Sequence, residues 1–300
     1  MRVVILGTGA LGCLFAARLS FHAEVWMLGT WAEGVAAVQR DGIHVEEPDH
    51  PWFATVRATD DPAAVAAADV AMVLVKSYQT ERAASWAAQV LACDGLAVTL
   101  QNGLDNGPRV AAAVGEERTA IGVTFEGATL LGPGHVRHAG CGPTYISAPP
   151  AAMGRLIAFV SLLQEAGFDA HVTSEVEGML WGKAVVNAAI NPLTALWRVP
   201  NGELLANQDR RALLAALAQE AAAVATARRV TLPFDDPVAR VEAVCRATAA
   251  NRSSMLQDVD RGRPTEIDSI NGIIVAEGRR WGISTPVNEV IWRLVRGLSR

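Results

Sequence analysis

Near its N-terminus the chain reads Val3-Val4-Ile5-Leu6-Gly7-Thr8-Gly9-Ala10-Leu11-Gly12, in which an apolar run leads directly into a Gly-x-Gly-x-x-Gly turn. A predicted helix follows the turn as far as about Ser20. The glycines permit a tight turn, and the helix N-terminus directs backbone N–H groups and a partial positive charge at a pyrophosphate. An isolated turn of this kind also occurs in ordinary glycine loops, but the strand before it and the helix after it favour dinucleotide binding. The predicted cofactor-binding residues are Gly7, Thr8, Gly9, Ala10, Leu11 and Gly12.

Short apolar runs continue to alternate with alanine-rich segments of helical periodicity over the first half of the chain. Such alternation is typical of a parallel sheet, and fully apolar strands suit a sheet that helices cover on both faces. Glycine-rich pieces after Thr119 indicate further strands and tight turns of the same domain. We predict a Rossmann-type, doubly wound α/β domain over residues 1–172, with strands at 3–6, 24–28, 70–75, 97–100 and 168–172 and a helix at 151–165.

Strand signals end at about residue 174, and long segments with helical periodicity replace them. The length of 300 residues also exceeds the usual size of one hydrophobic core, which favours two domains. We therefore predict a C-terminal all-helical domain over residues 173–300. Its predicted helical segments are 175–189, 208–228, 237–260 and 266–281, and a last helix begins at Pro286.

The composition argues against several classes of function. A formal net charge of −5 leaves no basic surplus to neutralise a row of phosphates, so we expect no nucleic-acid partner. The opening strand does not have the pattern that we expect of a secretory leader, and the uncharged stretch 184–197 is shorter than the roughly 20 residues of a membrane span. We therefore expect a cytoplasmic protein without a membrane partner. Four scattered cysteines predict reduced, buried thiols, with neither a disulfide framework nor a metal site: Cys13, Cys93, Cys141 and Cys245.

The end of the second predicted strand normally distinguishes NAD from NADP. An acidic residue there binds a ribose hydroxyl of NAD, whereas an arginine accommodates the extra phosphate of NADP. Here the strand ends Leu28-Gly29-Thr30-Trp31, with neither an acid nor an arginine, and Arg40 lies too far along the chain to be assigned. We predict that Thr30 contacts the cofactor, and the choice between NADPH and NADH stays open.

Two further polar residues follow apolar strands at their carboxyl ends, where open α/β sheets bind ligands. Lys76 follows the run 70–75, and its ammonium group is expected to meet the cofactor or the substrate; the alternative is a surface lysine. Asn102 follows the run 97–100 and is expected to direct its amide at the ligands, with Gly103 leaving room for the nicotinamide. The alternative for this Asn-Gly pair is a plain turn.

A narrow polar stripe marks the first helix of the second domain. Lys183, Asn187 and Asn191 recur every four residues between apolar neighbours, so they lie on one face of the helix. A solvated face would be wider and richer in Glu, Arg and Gln, which favours a functional site over that alternative. Desolvation lowers the pKa of a buried lysine, so Lys183 is the predicted general acid of a carbonyl reduction. The two asparagines can bind a hydroxyl or a carboxylate.

The segment 251–272 carries a second group of candidates. Glu266 is expected to orient Lys183 or to bind a substrate hydroxyl, and Ser254 to donate a hydrogen bond to a carboxylate. The alternative is structural, because Glu266 and Asp268 follow Pro264 and would cap and charge the start of a helix. The pattern of residues leaves both interpretations open.

Taken in order, these motifs resemble the ketopantoate reductase family over residues 1 to about 290. The lysine-bearing helix and the blocks near the C-terminus are far more specific to that family than the glycine turn. The blocks that carry the resemblance are the opening Gly-x-Gly-x-x-Gly, Val75-Lys76-Ser77-Tyr78-Gln79-Thr80, Gln101-Asn102-Gly103-Leu104, Gly132-Pro133-Gly134-His135-Val136, Trp181-Gly182-Lys183 with Asn187 and Asn191-Pro192, and Ser253-Ser254-Met255 through Glu266-Ile267-Asp268 and Asn271-Gly272.

The resemblance implies a Rossmann domain, a helical domain similar to the C-terminal domain of 6-phosphogluconate dehydrogenase, and a catalytic cleft between them. It implies NADPH as the reductant and 2-dehydropantoate (ketopantoate), a small-molecule 2-oxo acid, as the substrate that is reduced to pantoate. Lys183 is then the general acid, and Glu266 is its partner and a contact of substrate and cofactor. The implied contacts of substrate and nicotinamide are Asn102, Asn187, Asn191, Ser254 and Lys76.

This sequence departs from the family pattern at one cofactor position. The family commonly has an arginine at the tip of the second strand, where this chain has Thr30 or Trp31, so NADH is not excluded. One alternative is a reductase of the same fold that acts on another 2-oxo acid or an imine. A second alternative, from a different class, is a non-catalytic dinucleotide sensor, which would not need the lysine stripe. A homodimer is compatible with the sequence.

Overall fold

The structure is a computed structural model and describes residues 1–48 and 50–298. The chain forms two compact units, which we call unit 1 and unit 2. Unit 1 comprises Met1–Gln101 and Asn106–Val176, and unit 2 comprises Asn102–Asp105 and the chain from Glu177 onward. Among the described residues, no helix is both long and apolar enough to cross a membrane.

Unit 1 contains two sheets and five α-helices within its described residues. The strands are β1 (Arg2–Leu6), β2 (Glu24–Leu28), β3 (Ile43–Glu46), β4 (Trp52–Ala54), β5 (Arg57–Thr59), β6 (Ala68–Val73), β7 (Leu91–Thr99), β8 (Thr119–Thr124), β9 (Gly127–Gly132), β10 (His135–Gly140), β11 (Thr144–Ser147) and β12 (Ala170–Val172). The helices are α1 (Ala10–Leu19), α2 (Ala32–Asp41), α3 (Thr80–Val90), α4 (Asn106–Val114) and α5 (Met153–Glu165).

The larger sheet has the strand order β12-β11-β8-β7-β6-β1-β2-β5. Neighbouring strands are parallel except for β8 and β11, which are antiparallel. The chain winds outward in both directions from β1, which pairs with β2 on one side and β6 on the other. Open sheets bind ligands outside the carboxyl ends of the strands at such a reversal, and the glycine turn follows β1 at that end.

Both faces of this sheet are buried. Along β1, Val3 and Ile5 pack into one hydrophobic cluster and Val4 and Leu6 into another, because successive side chains point to opposite faces. The first cluster includes residues of α1 and α5, and the second includes residues of α3 and α4. The predicted doubly wound α/β domain is confirmed.

The second sheet, of order β4-β3-β10-β9, is a feature that the sequence pattern did not predict. Val45 of β3 and Val136 of β10 belong to the hydrophobic cluster that contains α1. Strands β3 and β4 have only four and three residues, too short for a clear alternation of apolar and polar positions. The strands expected after Thr119 include β9 and β10, and β10 pairs with β3, which lies far earlier in the chain.

Unit 2 is helical, as predicted, but three of its segments differ from the prediction. The expected helix 175–189 continues to Trp197 and contains Pro192. The segment 237–260 forms two helices, because the chain turns at 248–253 before Ser253 caps a new helix. The segment 266–281 begins with a π-helical turn, Asp268–Gly272. The helices are α6 (Val176–Trp197), α7 (Gln208–Ala227), α8 (Pro237–Ala247), α9 (Ser254–Asp260), α10 (Ile273–Trp281) and α11 (Pro286–Arg296).

Helix α6 forms the centre of unit 2 and is packed closely on one side by a loop. A Cβ atom at Gly178 would lie 2.3 Å from the carbonyl oxygen of Thr231, and one at Gly182 would lie 2.9 Å from Cδ of Pro233. These two glycines therefore allow the loop to approach the helix backbone. The motif Trp181-Gly182-Lys183 consequently combines a buried tryptophan, a packing glycine and one polar residue.

Candidate active site

The glycine turn after β1 has the shape that a dinucleotide needs. Gly7 has a φ of 124°, and a Cβ atom at Gly12 would lie only 2.2 Å from the carbonyl oxygen of Gly7. A Cβ atom at Gly9 would meet no atom within 4 Å, so the backbone is open on that side. Gly9 is the N-cap residue of α1, which therefore has no side-chain cap, and the first turn of α1 contains no acidic residue. The first N–H groups of α1 thus suit a bound pyrophosphate, and the turn fits the predicted cofactor.

An arginine of α3 contacts the tip of β2, a contact that was not predicted from the sequence. Thr30 is exposed, and its Oγ1 accepts a hydrogen bond of 3.2 Å from the guanidinium group of Arg82 in α3. Arg40, in contrast, forms an ion pair with the neighbouring Asp41. No local pattern connects Arg82 with a strand tip 52 residues earlier, so only the order of the strands reveals the contact.

Gln101 holds together the loops that follow β6 and β7. Its amide donates hydrogen bonds to the carbonyl oxygen of Val75 at 2.8 Å and to the hydroxyl of Thr80 at 2.9 Å. The Thr80 hydroxyl in turn donates to the Asn106 side chain at 2.8 Å. Half-buried Lys76 lies within the loop that these bonds fix. Gln101 belongs to the block Gln101-Asn102-Gly103-Leu104 that resembles the family, but no role was predicted for it from the sequence.

Asn102 lies in the short segment that belongs to unit 2. It is half-buried, and the next residue, Gly103, has a φ of 103°, a conformation that favours glycine. Leu104 packs against the hydrophobic core of unit 2. The Asn-Gly pair therefore does form a turn, and the turn is anchored by Leu104 beside Asn102.

Two of the three residues of the predicted stripe are the least buried residues of α6 between Trp181 and Ala195. Lys183 and Asn187 are half-buried, whereas the other residues of this stretch are buried. Asn191, the third member, is 7% exposed. Within the described part of the chain, neither the Asn187 nor the Asn191 amide group has a hydrogen-bond partner. An apolar helix thus carries, on the same face as the Lys183 amine, two amides that are available to a ligand.

The amine of Lys183 is tuned for proton exchange near neutral pH. Burial disfavours the charged ammonium and lowers its pKa from 10.5 to about 8, whereas the negative charge of Glu266 raises the pKa and so limits the decrease. Lys183 is therefore still mostly protonated at neutral pH. Its proton is nevertheless much easier to remove than that of an exposed lysine, which is what a general acid requires.

Glu266 is itself buried and precedes the π-helical turn of unit 2. Its residue is 6% exposed, and Thr265 and Ile267 on either side are also buried. Turns of this type interrupt regular helices and are frequent at functional sites. Asp268 does not cap the helical segment, because its exposed carboxylate accepts a 2.7 Å hydrogen bond from Trp292 instead, but it does place a negative charge in the first turn, as that alternative expected.

The neighbouring serines near the C-terminus have different environments. Ser253 is buried, its Oγ lies 2.7 Å from the Thr194 hydroxyl of α6, and it accepts a hydrogen bond from the backbone N–H of Leu256. Ser254 is exposed at the first position of α9. Ser253 therefore joins α9 to α6, and Ser254 remains accessible to a ligand.

In unit 1, three side chains of types that can bind a metal ion lie close together: Glu126, His138 and Cys141. Oε2 of Glu126 lies 2.6 Å from Nε2 of His138, and Sγ of Cys141 lies 3.6 Å from the same nitrogen. The other ring nitrogen of His138 lies 3.3 Å from Arg18 and from Glu47. Hydrogen bonds and charge pairs therefore account for this cluster, and it stabilises the smaller sheet. The predicted burial of the cysteines is correct for Cys13 and Cys245 but wrong for Cys93 and Cys141, which are exposed.

Comparison with known proteins agrees with this arrangement. The chain matches the model of the family described as ketopantoate reductase PanE/ApbA over residues 3–151 and the model of its C-terminal domain over residues 175–299. It is 37% identical to the 2-dehydropantoate 2-reductase of Archaeoglobus fulgidus, over 99% of this chain and 98% of that protein. The chain belongs to the ketopantoate reductase family. The predicted family is thereby confirmed, and the chain is an oxidoreductase.

Solved structures extend the likeness to the whole fold. A PanE/ApbA family ketopantoate reductase from Ralstonia eutropha JMP134 superposes with a TM-score of 0.92 at 32% identity, covering 100% of this chain and 98% of that one. D-mandelate dehydrogenase, in a complex with NADH and anilino(oxo)acetate, has a TM-score of 0.93 at 26% identity, with coverage of 100% and 98%. Ketopantoate reductases use NADPH, which agrees with the predicted cofactor.

Proposed function

We propose that this chain catalyses the NADPH-dependent reduction of 2-dehydropantoate to pantoate, a step of pantothenate and coenzyme A biosynthesis. The observation that carries the proposal is the half-buried Lys183 with its pKa of about 8, the group that a carbonyl reduction needs as its acid. Support comes also from 2-dehydropantoate 2-reductases that are similar over their full length, such as the one from Archaeoglobus fulgidus.

The two parts of the chain supply different components of the reaction. We propose that residues 1–172 bind the dinucleotide and that residues 173–300 supply the acid and most substrate contacts. NADPH, when bound, supplies a hydride to the C2 carbonyl carbon of the substrate. The residues that would hold it are Gly7, Thr8, Gly9, Ala10, Leu11, Gly12, Thr30, Lys76, Asn102 and Glu266.

Lys183 performs the proton transfer in this proposal. As negative charge develops on the carbonyl oxygen, Nζ of Lys183 donates a proton to it and becomes a neutral amine. Glu266 favours the protonated lysine before the reaction, because its negative charge raises the pKa of Lys183. The amine then regains a proton from solvent before the next turnover.

The remaining polar groups bind and orient the substrate. The amides of Asn187 and Asn191 are available on the same helix face as Lys183 and can bind the carboxylate and hydroxyl groups without adding charge. Exposed Ser254 donates a hydrogen bond to the carboxylate, and Lys76 and Asn102 contribute further contacts. We further propose that the protein acts in the cytoplasm as a homodimer, without nucleic-acid or membrane partners.

Steady-state kinetics with a panel of 2-oxo acids tests the substrate. We expect 2-dehydropantoate to have the highest kcat/KM with NADPH. Much faster turnover of another 2-oxo acid, or of an imine, would contradict the assignment of 2-dehydropantoate as the substrate. The assignment of the chain as a reductase would still hold. Absence of turnover with the whole panel, despite nucleotide binding, would favour a dinucleotide sensor.

Substitution of the lysine tests the mechanism. We expect Lys183→Ala to lower kcat by roughly two to four orders of magnitude, the range for a lost acid catalyst, with little change in NADPH affinity. The matched control is Arg210→Ala, which removes a cation from unit 2 that contacts Trp197 and the carbonyl oxygen of Glu203. Unchanged turnover in Lys183→Ala would show that Lys183 is not the general acid.

A further inference from the structure

Arg82 of α3 places a positive charge beside the tip of β2, whose own residues carry none. The residues 28–31 at the tip include neither an acid nor an arginine. Arg82 nevertheless donates a hydrogen bond of 3.2 Å to Oγ1 of Thr30. An arginine of α3 therefore occupies the neighbourhood of the one exposed hydroxyl at this strand end.

This position has a defined chemistry in dinucleotide-binding folds. The residue at the end of the second strand contacts the adenosine ribose, where a carboxylate selects the 2′-hydroxyl of NAD and a nearby arginine accommodates the 2′-phosphate of NADP. A guanidinium group suits a phosphate because its planar fork can donate two parallel, charge-assisted hydrogen bonds. The cation can come from any element whose side chain reaches the tip.

Trp31 does not compete with Thr30 for this role. A Cβ atom at Gly34 would lie 2.3 Å from Cε3 of Trp31, so the indole ring is packed over the first turn of α2. Gly29 has no side chain, and its N–H donates to the carbonyl oxygen of Thr59 in β5. Thr30 is thus the side chain that the tip presents to a ligand.

The guanidinium group of Arg82 is held in place without being neutralised. In the described part of the chain it has no carboxylate partner, and the adjacent Glu81 carboxylate lies 3.4 Å from Arg109 instead. The ring of Trp86, one helical turn along α3, lies 5.9 Å from the Arg82 guanidinium carbon. The side chain is therefore restrained between an indole and a hydroxyl, with its charge available for an anion.

We propose that Arg82 and Thr30 form the binding site for the 2′-phosphate of NADPH and make this chain select NADPH over NADH. The inference rests on the proposed use of a nicotinamide cofactor. It assigns to α3 the positive charge that a nearby arginine supplies to the 2′-phosphate in NADP-binding folds. In this proposal the Thr30 hydroxyl forms a hydrogen bond with the 2′-phosphate close to the ribose. The guanidinium group of Arg82 supplies the positive charge that the phosphate needs.

Direct binding measurements test this site without relying on turnover. Calorimetric titration of the full chain with NADPH, NADH, adenosine 2′,5′-bisphosphate and AMP compares each 2′-phosphorylated ligand with its unphosphorylated counterpart. We expect Arg82→Gln to weaken binding of NADPH and adenosine 2′,5′-bisphosphate by about 10- to 100-fold, as for a lost charge-assisted pair. Affinity for NADH and AMP should change less than about twofold, and Arg82→Lys should be intermediate.

The matched control is Arg40→Gln, which removes the same charge from unit 1 at a residue that is paired with Asp41. We expect this variant to bind all four ligands as the unmodified chain does. Equal weakening of NADPH and NADH in Arg82→Gln, or an unmodified chain that binds NADH as tightly as NADPH, would overturn the site. Failure to reduce 2-dehydropantoate would overturn the proposed function instead and would leave these binding differences intact.

Discussion

The pKa of Lys183 gives a prediction that can be tested through pH. With a pKa of about 8 instead of 10.5, the amine loses its proton well below the pH at which an ordinary lysine does. At pH ~9.5 only about 3% of a group with the lower pKa is protonated, against about 90% of a group with the ordinary one. If Lys183 is the acid, kcat/KM for reduction should be constant at neutral pH and should decrease about 30-fold between pH ~7 and ~9.5.

The titration of the amine can also be observed directly. Lys76 and Lys183 are the two lysines of the sequence, so a chain labelled with ¹³Cε-lysine gives two resonances, and Lys183→Arg identifies one of them by its loss. We expect the Lys183 resonance to titrate with a midpoint near 8. Glu266→Gln should move that midpoint to lower pH, because the Glu266 charge raises the pKa in the unmodified chain. A midpoint near 10.5, or a constant kcat/KM up to pH ~10, would refute the proposed tuning.

Two further predictions concern the architecture that supports the site. Gly12→Ala should weaken NADPH binding at least about tenfold and lower the Tm, because its Cβ would lie 2.2 Å from a backbone oxygen. Gly154→Ala, with no atom within 4 Å of its Cβ, should leave the calorimetric titration unchanged and should not lower the Tm, because alanine is favoured over glycine in a helix such as α5; equal losses in both variants would contradict the steric argument. Glu220→Ala should lower the free energy of unfolding in urea by about 1–3 kcal/mol, because this carboxylate accepts two backbone N–H groups at the start of α11. Gln219→Ala, at the exposed neighbouring residue, should change it by less than about 0.5 kcal/mol, and similar losses in both would exclude the capping role.

The fold could be predicted from sequence where the period of the apolar residues was clear. Residues 3–6 of β1 and 70–73 of β6 are all apolar, which occurs when both faces of a sheet are buried, and the structure confirms this for Val3 and Val4 on opposite faces. The smaller sheet escaped prediction because β3 and β10 pair across about 90 residues. Local periodicity carries no information about such a pairing.

The same distinction applies to the candidate site: residues that follow a local spacing pattern were predictable, whereas residues that act through long-range contacts were not. The stripe of Lys183 and Asn187 was predictable because a spacing of four places both on one helix face. Gln101 and Arg82 were not, because their importance depends on contacts with loops and strand tips that lie far away in the chain. The pKa of Lys183 likewise depends on Glu266, which is 83 residues further along.

One signal in the sequence itself points independently to the lysines. Of 26 lysine and arginine residues, 24 are arginine, and the two lysines are Lys76 and Lys183. Arginine keeps its proton under all ordinary conditions, so it serves ion pairs well but cannot act as an acid that gives up a proton and regains it. A chain that uses arginine at almost every basic position but retains lysine in the middle of a buried helix therefore requires a property that arginine lacks. For Lys183 that property is a pKa that burial can bring near neutral, which is the physical basis of the proposed proton transfer.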